Sequence, residues 1–158
     1  MKLEALFTVK QNKLFSAKDD SAVNPADFEK VIVKWSEVEL SDEVYNEELL
    51  ANLRDNLKAL EAQNKFAILI PEIDKTFETS DQKEAFINAM NHTARRVKDC
   101  VSVAGFELPS KLLEAKIQDD FIDTLAKKHA QYVYFAGKSD VEAFNLAEIL
   151  SSYNVVIQ

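Results

Sequence analysis

The chain has 158 residues, 47% hydrophobic and 29% charged, enough for one sizeable core in a single α/β domain over 1–158, and 19 basic against 27 acidic residues leave a net charge of −8. That balance excludes a broad phosphate-neutralising surface, so neither nucleic acid nor an anionic membrane is an expected partner. Two glycines, Gly105 and Gly137, build no phosphate loop or dinucleotide fingerprint, and one cysteine with two histidines is too few for an ordinary structural zinc site, so no cofactor is expected.

From the N-terminus, Met1 to Phe15 alternates Lys, Glu and Gln with apolar residues and lacks the apolar stretch of a secretory signal. The chain is therefore expected to begin at Met1 and to stay in the cytoplasm, and no run of about 18 apolar residues offers a membrane span. Residues 1–30 read as a strand, or a hairpin around Gln11-Asn12-Lys13, followed by a short helix over 25–30 with Asn24 as its cap. Five apolar, β-branched-rich runs follow, at 31–35, 66–70, 101–108, 132–136 and 154–157, and are expected to be buried strands.

Helical patterns fill the gaps between those runs. From Asn46, Leu49, Leu50, Leu53, Leu57 and Leu60 form one stripe, with Glu47, Glu48, Arg54, Asp55 and Lys58 facing away. A second helix over 81–98 turns Phe86, Met90, Ala94 and Val97 inward and is expected to be capped by Ser80 or Asp81. A third spans 110–128 with a break near Asp119. The fourth opens with Ser139-Asp140-Val141-Glu142, the spacing of a capping box, and carries Phe144, Ala147 and Leu150 inward. Strand and helix alternating four times over 31–158 is the pattern of βα units with long crossovers, which predicts a covered, parallel five-stranded sheet.

Ligands of parallel α/β folds sit at the carboxyl ends of the strands, and those ends are acidic here. Glu37 and Glu39 follow Trp35, Glu72 and Asp74 follow Ile70, and the third run closes near Glu107. A spacing of two puts both members of a pair on one face of an extended segment, a pattern that suits oxygen ligation of a divalent cation or an acid and a base at a sugar bond. The same carboxylates also suit ordinary solvated loops. Trp35 offers a flat face for a sugar or serves to close the core. His92 and His129 lie on or at the ends of helices and are expected to be solvated or capping residues, and Cys100, with no histidine nearby in sequence, a small buried hydrophobe.

Three phrases carry a resemblance: Val31-Ile-Val-Lys-Trp-Ser-Glu-Val-Glu-Leu, the helical stretch from Val44 to Glu61, and Phe66-Ala-Ile-Leu-Ile-Pro. They resemble the second and third strands of cellulase-like TIM barrels, glycoside hydrolase family five of the retaining clan. Asn91-His-Thr-Ala-Arg-Arg-Val-Lys-Asp before Val101-Ser-Val-Ala-Gly-Phe-Glu-Leu continues it as a helix and fourth strand, and Tyr132-Val-Tyr-Phe-Ala-Gly and Asn154-Val-Val-Ile as the fifth and sixth. The resemblance implies a partial (β/α)8 barrel over 31–158. It does not imply the family's chemistry. The family's acid/base glutamate follows an asparagine at the end of the fourth strand, where this chain has Ser110 and Lys111 after Pro109, and Glu107 falls short of that position. The nucleophile's seventh strand lies beyond Gln158.

Two functional classes follow: a non-catalytic binding or structural protein, with carbohydrate as a possible ligand, and a metal-assisted hydrolase built on Glu37, Glu39, Glu72 and Asp74. A five-stranded sheet does not close, and the 154–157 strand has no downstream segment to cover it. A homodimer burying that strand or the face beside it is the expected assembly.

Overall fold

The computed structural model describes residues 3–158, so the start of the chain at Met1 lies outside the described residues. Strands β1 (Phe7–Lys10) and β2 (Lys13–Ser16) pair antiparallel, with Lys10 opposite Lys13. Between them Gln11 and Asn12 have φ of 52° and 59°, the left-handed conformation that a tight two-residue hairpin requires and that asparagine tolerates. Of the two expectations for this segment, the hairpin is the one that forms. Asn24 caps the segment that follows by accepting from the Ala26 amide at 3.0 Å, as expected, but the helix expected over 25–30 is only the single turn Pro25–Asp27, because strand begins at Glu29.

The chain then runs through β3 (Glu29–Lys34), α1 (Trp35–Val38), β4 (Glu39–Ser41), β5 (Val44–Tyr45), α2 (Glu47–Ala62), β6 (Ala67–Glu72), α3 (Ser80–Arg96) and β7 (Val103–Glu107). It continues through α4 (Ser110–Glu114), α5 (Gln118–Ala126), β8 (Val133–Ala136), α6 (Lys138–Ala143), α7 (Ala147–Leu150) and β9 (Val155–Ile157). Strands β3, β6, β7, β8 and β9 form one sheet in that order, every neighbouring pair parallel. Consecutive βα units thus lie side by side, as in an arc cut from a barrel, and the expected α/β architecture is the one observed.

Pleating divides the sheet between two cores. On one face Val33, Leu69, Val103, Phe106, Tyr134 and Val155 meet the helices, where Leu50, Leu57, Phe86, Met90, Phe121 and Leu125 are buried. On the other, Ile68, Ala104, Val133, Phe135 and Val156 meet Phe7 and Leu14 of the hairpin together with Phe28. The rings of Phe7, Phe28 and Phe66 close that second core with centroids 5.0–5.8 Å apart. The hairpin therefore plugs the helix-free face.

Gly105 marks a close approach within the sheet. Ala67 pairs with Val103 but Ile68 pairs with Gly105, so β7 carries one extra residue, and a Cβ on Gly105 would lie 1.6 Å from the Val133 carbonyl oxygen.

Several local expectations are corrected. Trp35 is not the end of a strand but the first residue of a single helical turn, and β3 begins two residues earlier, at Glu29. The cap of α3 is Thr79, in a capping box with Gln82, rather than Ser80 or Asp81. The third helix breaks at Lys116, whose φ is 55°, and not near Asp119. The box expected at Ser139 and Glu142 does not form, because the helix starts directly after Gly137 and places Ser139 inside its first turn. The β4–β5 hairpin was not expected; it turns at Glu43, φ 58°, within a stretch too short for alternation to show.

The C-terminal strand also differs from expectation. Asn12, at the tip of the β1–β2 hairpin, accepts from the Ile157 amide at 3.0 Å and donates its side-chain Nδ2 to the Val155 carbonyl at 2.9 Å. The upstream residue Asn12 thus covers part of the β9 edge. The exposed edge is β3, where Lys30 and Lys34 flank Ile32, a charged border of the kind that disfavours strand addition.

Candidate functional site

The carboxyl ends of the five strands hold most of the predicted site residues, but the fold distributes them rather than gathering them. Trp35 is 2% exposed and packs edge-on against Phe77 and Phe86, so it closes the core and offers no stacking face. Its Nε1 donates to Glu39 Oε1 at 3.0 Å, and the same oxygen takes Lys75 Nζ at 3.1 Å, while Nζ lies 4.8 Å from the indole centroid. Glu39 Oε2 accepts from the Glu43 amide at 3.3 Å, anchoring the β4–β5 turn. Glu39 is therefore a buried structural carboxylate with its oxygens engaged. Glu37, on α1, is exposed and points away from it, because a helical turn does not keep residues two apart on one face.

Asp74 lies beyond β6 and accepts from both the amide and the hydroxyl of Ser36. Burial alone would raise its carboxyl, but the Ser36 hydrogen bonds outweigh that and hold it below the usual aspartate range. Glu72 is the strand's last residue and stands beside Lys34 of β3. The expected pair Glu37/Glu39 is thus split by the α1 turn, whereas Asp74 is engaged by Ser36 and Glu72 stands beside Lys34. Among the described residues no three His, Cys, Asp or Glu side chains come together to hold a metal ion.

Glu107 is the residue that the topology singles out. It registers with Phe135, which registers with Val156, and Ile32 registers with Ile70 two strands away, so a half-buried carboxyl stands among apolar neighbours on the helix-free face. Burial pushes its carboxyl above the usual glutamate value; the charge of Lys30 opposes that shift and Asp140 adds to it. Asp140, in the first turn of α6, accepts from Ser110 Oγ at 2.7 Å. The site is thus a carboxyl flanked by a lysine, by a serine-bound aspartate and, further along the mouth, by Lys34 and Glu72. Lys30, Lys34 and Asp140 escaped the sequence reading; the signal for the lysines was present in the alternation Lys30, Ile32, Lys34, which marks one polar-edged face of β3.

The histidines are not solvated as expected. His92 stacks on Tyr45 with centroids 4.1 Å apart and lies 3.2 Å from the Glu47 carboxylate, which also takes Arg96 at 2.8 Å. His129 is 3% exposed. Cys100 is buried, as expected, and burial pushes its thiol up to about 11, an inert value.

No family model matches the sequence, and neither does any curated protein. Solved structures do. Endoglycoceramidase II from Rhodococcus sp., as its lactosyl-enzyme intermediate, superposes with a TM-score of 0.59 at 12% identity over 87% of this chain and 49% of that one. A GH5_18 protein from Bifidobacterium longum subsp. infantis gives 0.55 at 12% identity over 70% and 34%. A family 39 glycoside hydrolase from Bacteroides cellulosilyticus gives 0.55 at 11% over 68% and 25%. The α/β fold, with its five-stranded parallel sheet of alternating βα units, is similar to that of these TIM-barrel glycoside hydrolases. The chain spans about half the length of the endoglycoceramidase, and at these identities the likeness is one of fold.

Proposed function

We propose that the protein is a non-hydrolytic relative of the cellulase-like barrels, lacking their catalytic glutamates, that acts in binding or structure, with a carbohydrate as the ligand of the strand mouths around Glu107. The observation that carries this reading is the fate of the mouth's carboxylates. Retaining hydrolysis needs two carboxyl groups about 5 Å apart across the scissile bond, each free to meet substrate. Here Glu39 serves Trp35, Lys75 and Glu43, Asp74 serves Ser36, and Asp140 serves Ser110, which leaves Glu72, registered with Lys34, as the remaining mouth carboxylate on the strand beside Glu107. β7 then runs through Leu108, 2% exposed, and Pro109 to Ser110 and Lys111, the positions where the resemblance places the Asn-Glu pair of the related enzymes. The metal-assisted alternative finds no support in the arrangement of the acidic residues.

A homodimer belongs to this reading through exposed Ile32, Leu40 and Val44, on β3 and the hairpin after it, rather than through β9. The test is to incubate pure protein with aryl cellobioside and mannoside substrates and, separately, to titrate it with cello-oligosaccharides by NMR. Binding without turnover, with shifts at Glu107 and Glu72, is the expected result. Hydrolysis that Glu107→Gln abolishes would overturn the reading, as would the absence of any oligosaccharide shift, and a monomer mass in light scattering would remove the dimer.

A further inference from the structure

At the opposite end of the sheet, where the strands begin, α3 and the turn after α5 enclose a cavity of about 390 Å³. Asn91 and Arg95, four residues apart on one face of α3, and Lys98, in the turn after it, reach it from one side. Lys128, His129 and Gln131 reach it from the other. Among the described residues no carboxylate lines it, although the chain as a whole carries a net charge of −8.

The three cations are unlike their neighbours. Arg96 is held by Glu47, Arg54 by Asp99 and Lys58 by Glu61, whereas Arg95, Lys98 and Lys128 make no ion pair among the described residues. Cations at helix C-termini offset the helix dipole, which accounts for one or two of them on α3 and α5. It does not account for their convergence on one cavity, where they repel one another. It also leaves two further observations unexplained. The His129 imidazole, 3% exposed, lines the cavity and has no side-chain hydrogen bond among the described residues. Asn91 Oδ1 is buried there without a donor. Burial, and then the charges of Lys98, Arg95 and Lys128, push the imidazole below its usual value, which registers the positive field from both walls; the Tyr132 ring packs 5.7 Å from it.

We propose that this cavity binds a phosphate or sulfate monoester of a hydroxylated small molecule. Its oxyanion takes charge-assisted hydrogen bonds from Arg95, Lys98 and Lys128 and one from the His129 ring, and a hydroxyl of the same ligand donates to Asn91 Oδ1. The oxyanion supplies the counter-charge that the cluster lacks, and the hydroxyl supplies the missing donor. Neither inorganic anion nor neutral sugar satisfies both. The site shares no residue with the mouth around Glu107, so it stands or falls apart from the function proposed there.

Calorimetric titration at low ionic strength with glucose 6-phosphate, glucose 6-sulfate, inorganic phosphate and glucose tests it. Saturable binding of one glucose ester, at least about tenfold tighter than inorganic phosphate and absent for glucose, is expected. Comparing the two esters identifies phosphate or sulfate as the group taken. Lys98 and Lys128 are exposed, so Lys98→Gln and Lys128→Gln preserve the fold, and each is expected to weaken binding about tenfold. The His129 ring resonances should titrate at higher pH in the complex than in the free protein. Failure of both esters to bind, equal binding of glucose, unchanged affinity in the double lysine variant, or an unmoved His129 titration would each overturn the proposal.

Discussion

Replacing Asn12 tests whether the hairpin tip secures the C-terminal edge of the sheet. Asn12→Gly keeps the left-handed turn, since glycine adopts φ near 59° without strain, but deletes the Nδ2 bond to the Val155 carbonyl. Val155 is fully buried, so its carbonyl loses a partner in a place water reaches poorly. A net hydrogen bond is worth about 0.5–1.5 kcal/mol and an orphaned buried acceptor about 1–3, which sets the loss at about 1–2 kcal/mol. For a domain of this size that lowers the melting temperature by about 2–8 °C. Asn12→Asp keeps the turn and the shape but sets a carboxylate against the same carbonyl, so it is expected to cost more than glycine. Urea unfolding followed by circular dichroism gives the energy, and amide exchange at Ile157, whose N–H bonds to the Asn12 carbonyl, reports the edge itself. Ile157 protection should fall in step with stability. If both variants unfold at the wild-type midpoint with Ile157 as protected as before, the hairpin tip does not hold β9 and the reasoning is refuted.

Three further outcomes are expected. Gly105→Ala drives a methyl onto the Val133 carbonyl, backbone against backbone, and should cost about 3 kcal/mol or more, read as loss of soluble folded protein or a collapsed unfolding midpoint; a variant with wild-type stability would refute the close approach. Glu39→Ala leaves Trp35 Nε1 and the Glu43 amide without an acceptor and should cost about 2–3 kcal/mol, against about 1 for Glu39→Gln, with a red shift in the emission of the single tryptophan in the alanine variant only. Glu107→Gln should stabilise the protein at neutral pH. A raised carboxyl pKa means that the ionised form is less favourable folded than unfolded, so the gain is present at pH 7, declines as pH falls through the raised value, and is gone below about 4.5; melting curves of both proteins across that range check the sign.

The architecture was legible in the sequence because its strongest signals are local and periodic. The leucine stripe from Leu49 to Leu60 and the five β-branched runs each express a rule that operates within about a dozen residues, and alternating them leaves a parallel sheet as the economical way to bury both. The same locality explains the hairpin at Gln11-Asn12, where residue type alone meets the demand for positive φ. Trp35, by contrast, continues the apolar run of β3, and only the packing of Phe77 and Phe86 around it turns the chain into a helical turn there.

The site was decided by tertiary structure. A spacing of two places Glu37 with Glu39 on one face only if both lie in an extended strand, and the α1 turn removes that condition, while Asp74 beyond β6 is taken up by Ser36. Which carboxylate becomes buried depended on inter-strand register, which sets Glu107 beside Phe135 of β8. Arg95 and Lys128 are 33 positions apart in sequence and share a cavity because α3 and α5 lie against each other on the helix-covered face. The cover over β9 comes from Asn12, more than a hundred residues upstream. Hydrophobic pattern and backbone propensity act over one element, so they are written in the chain; burial, charge pairing and edge protection depend on which elements become neighbours, so the folded structure alone determines them.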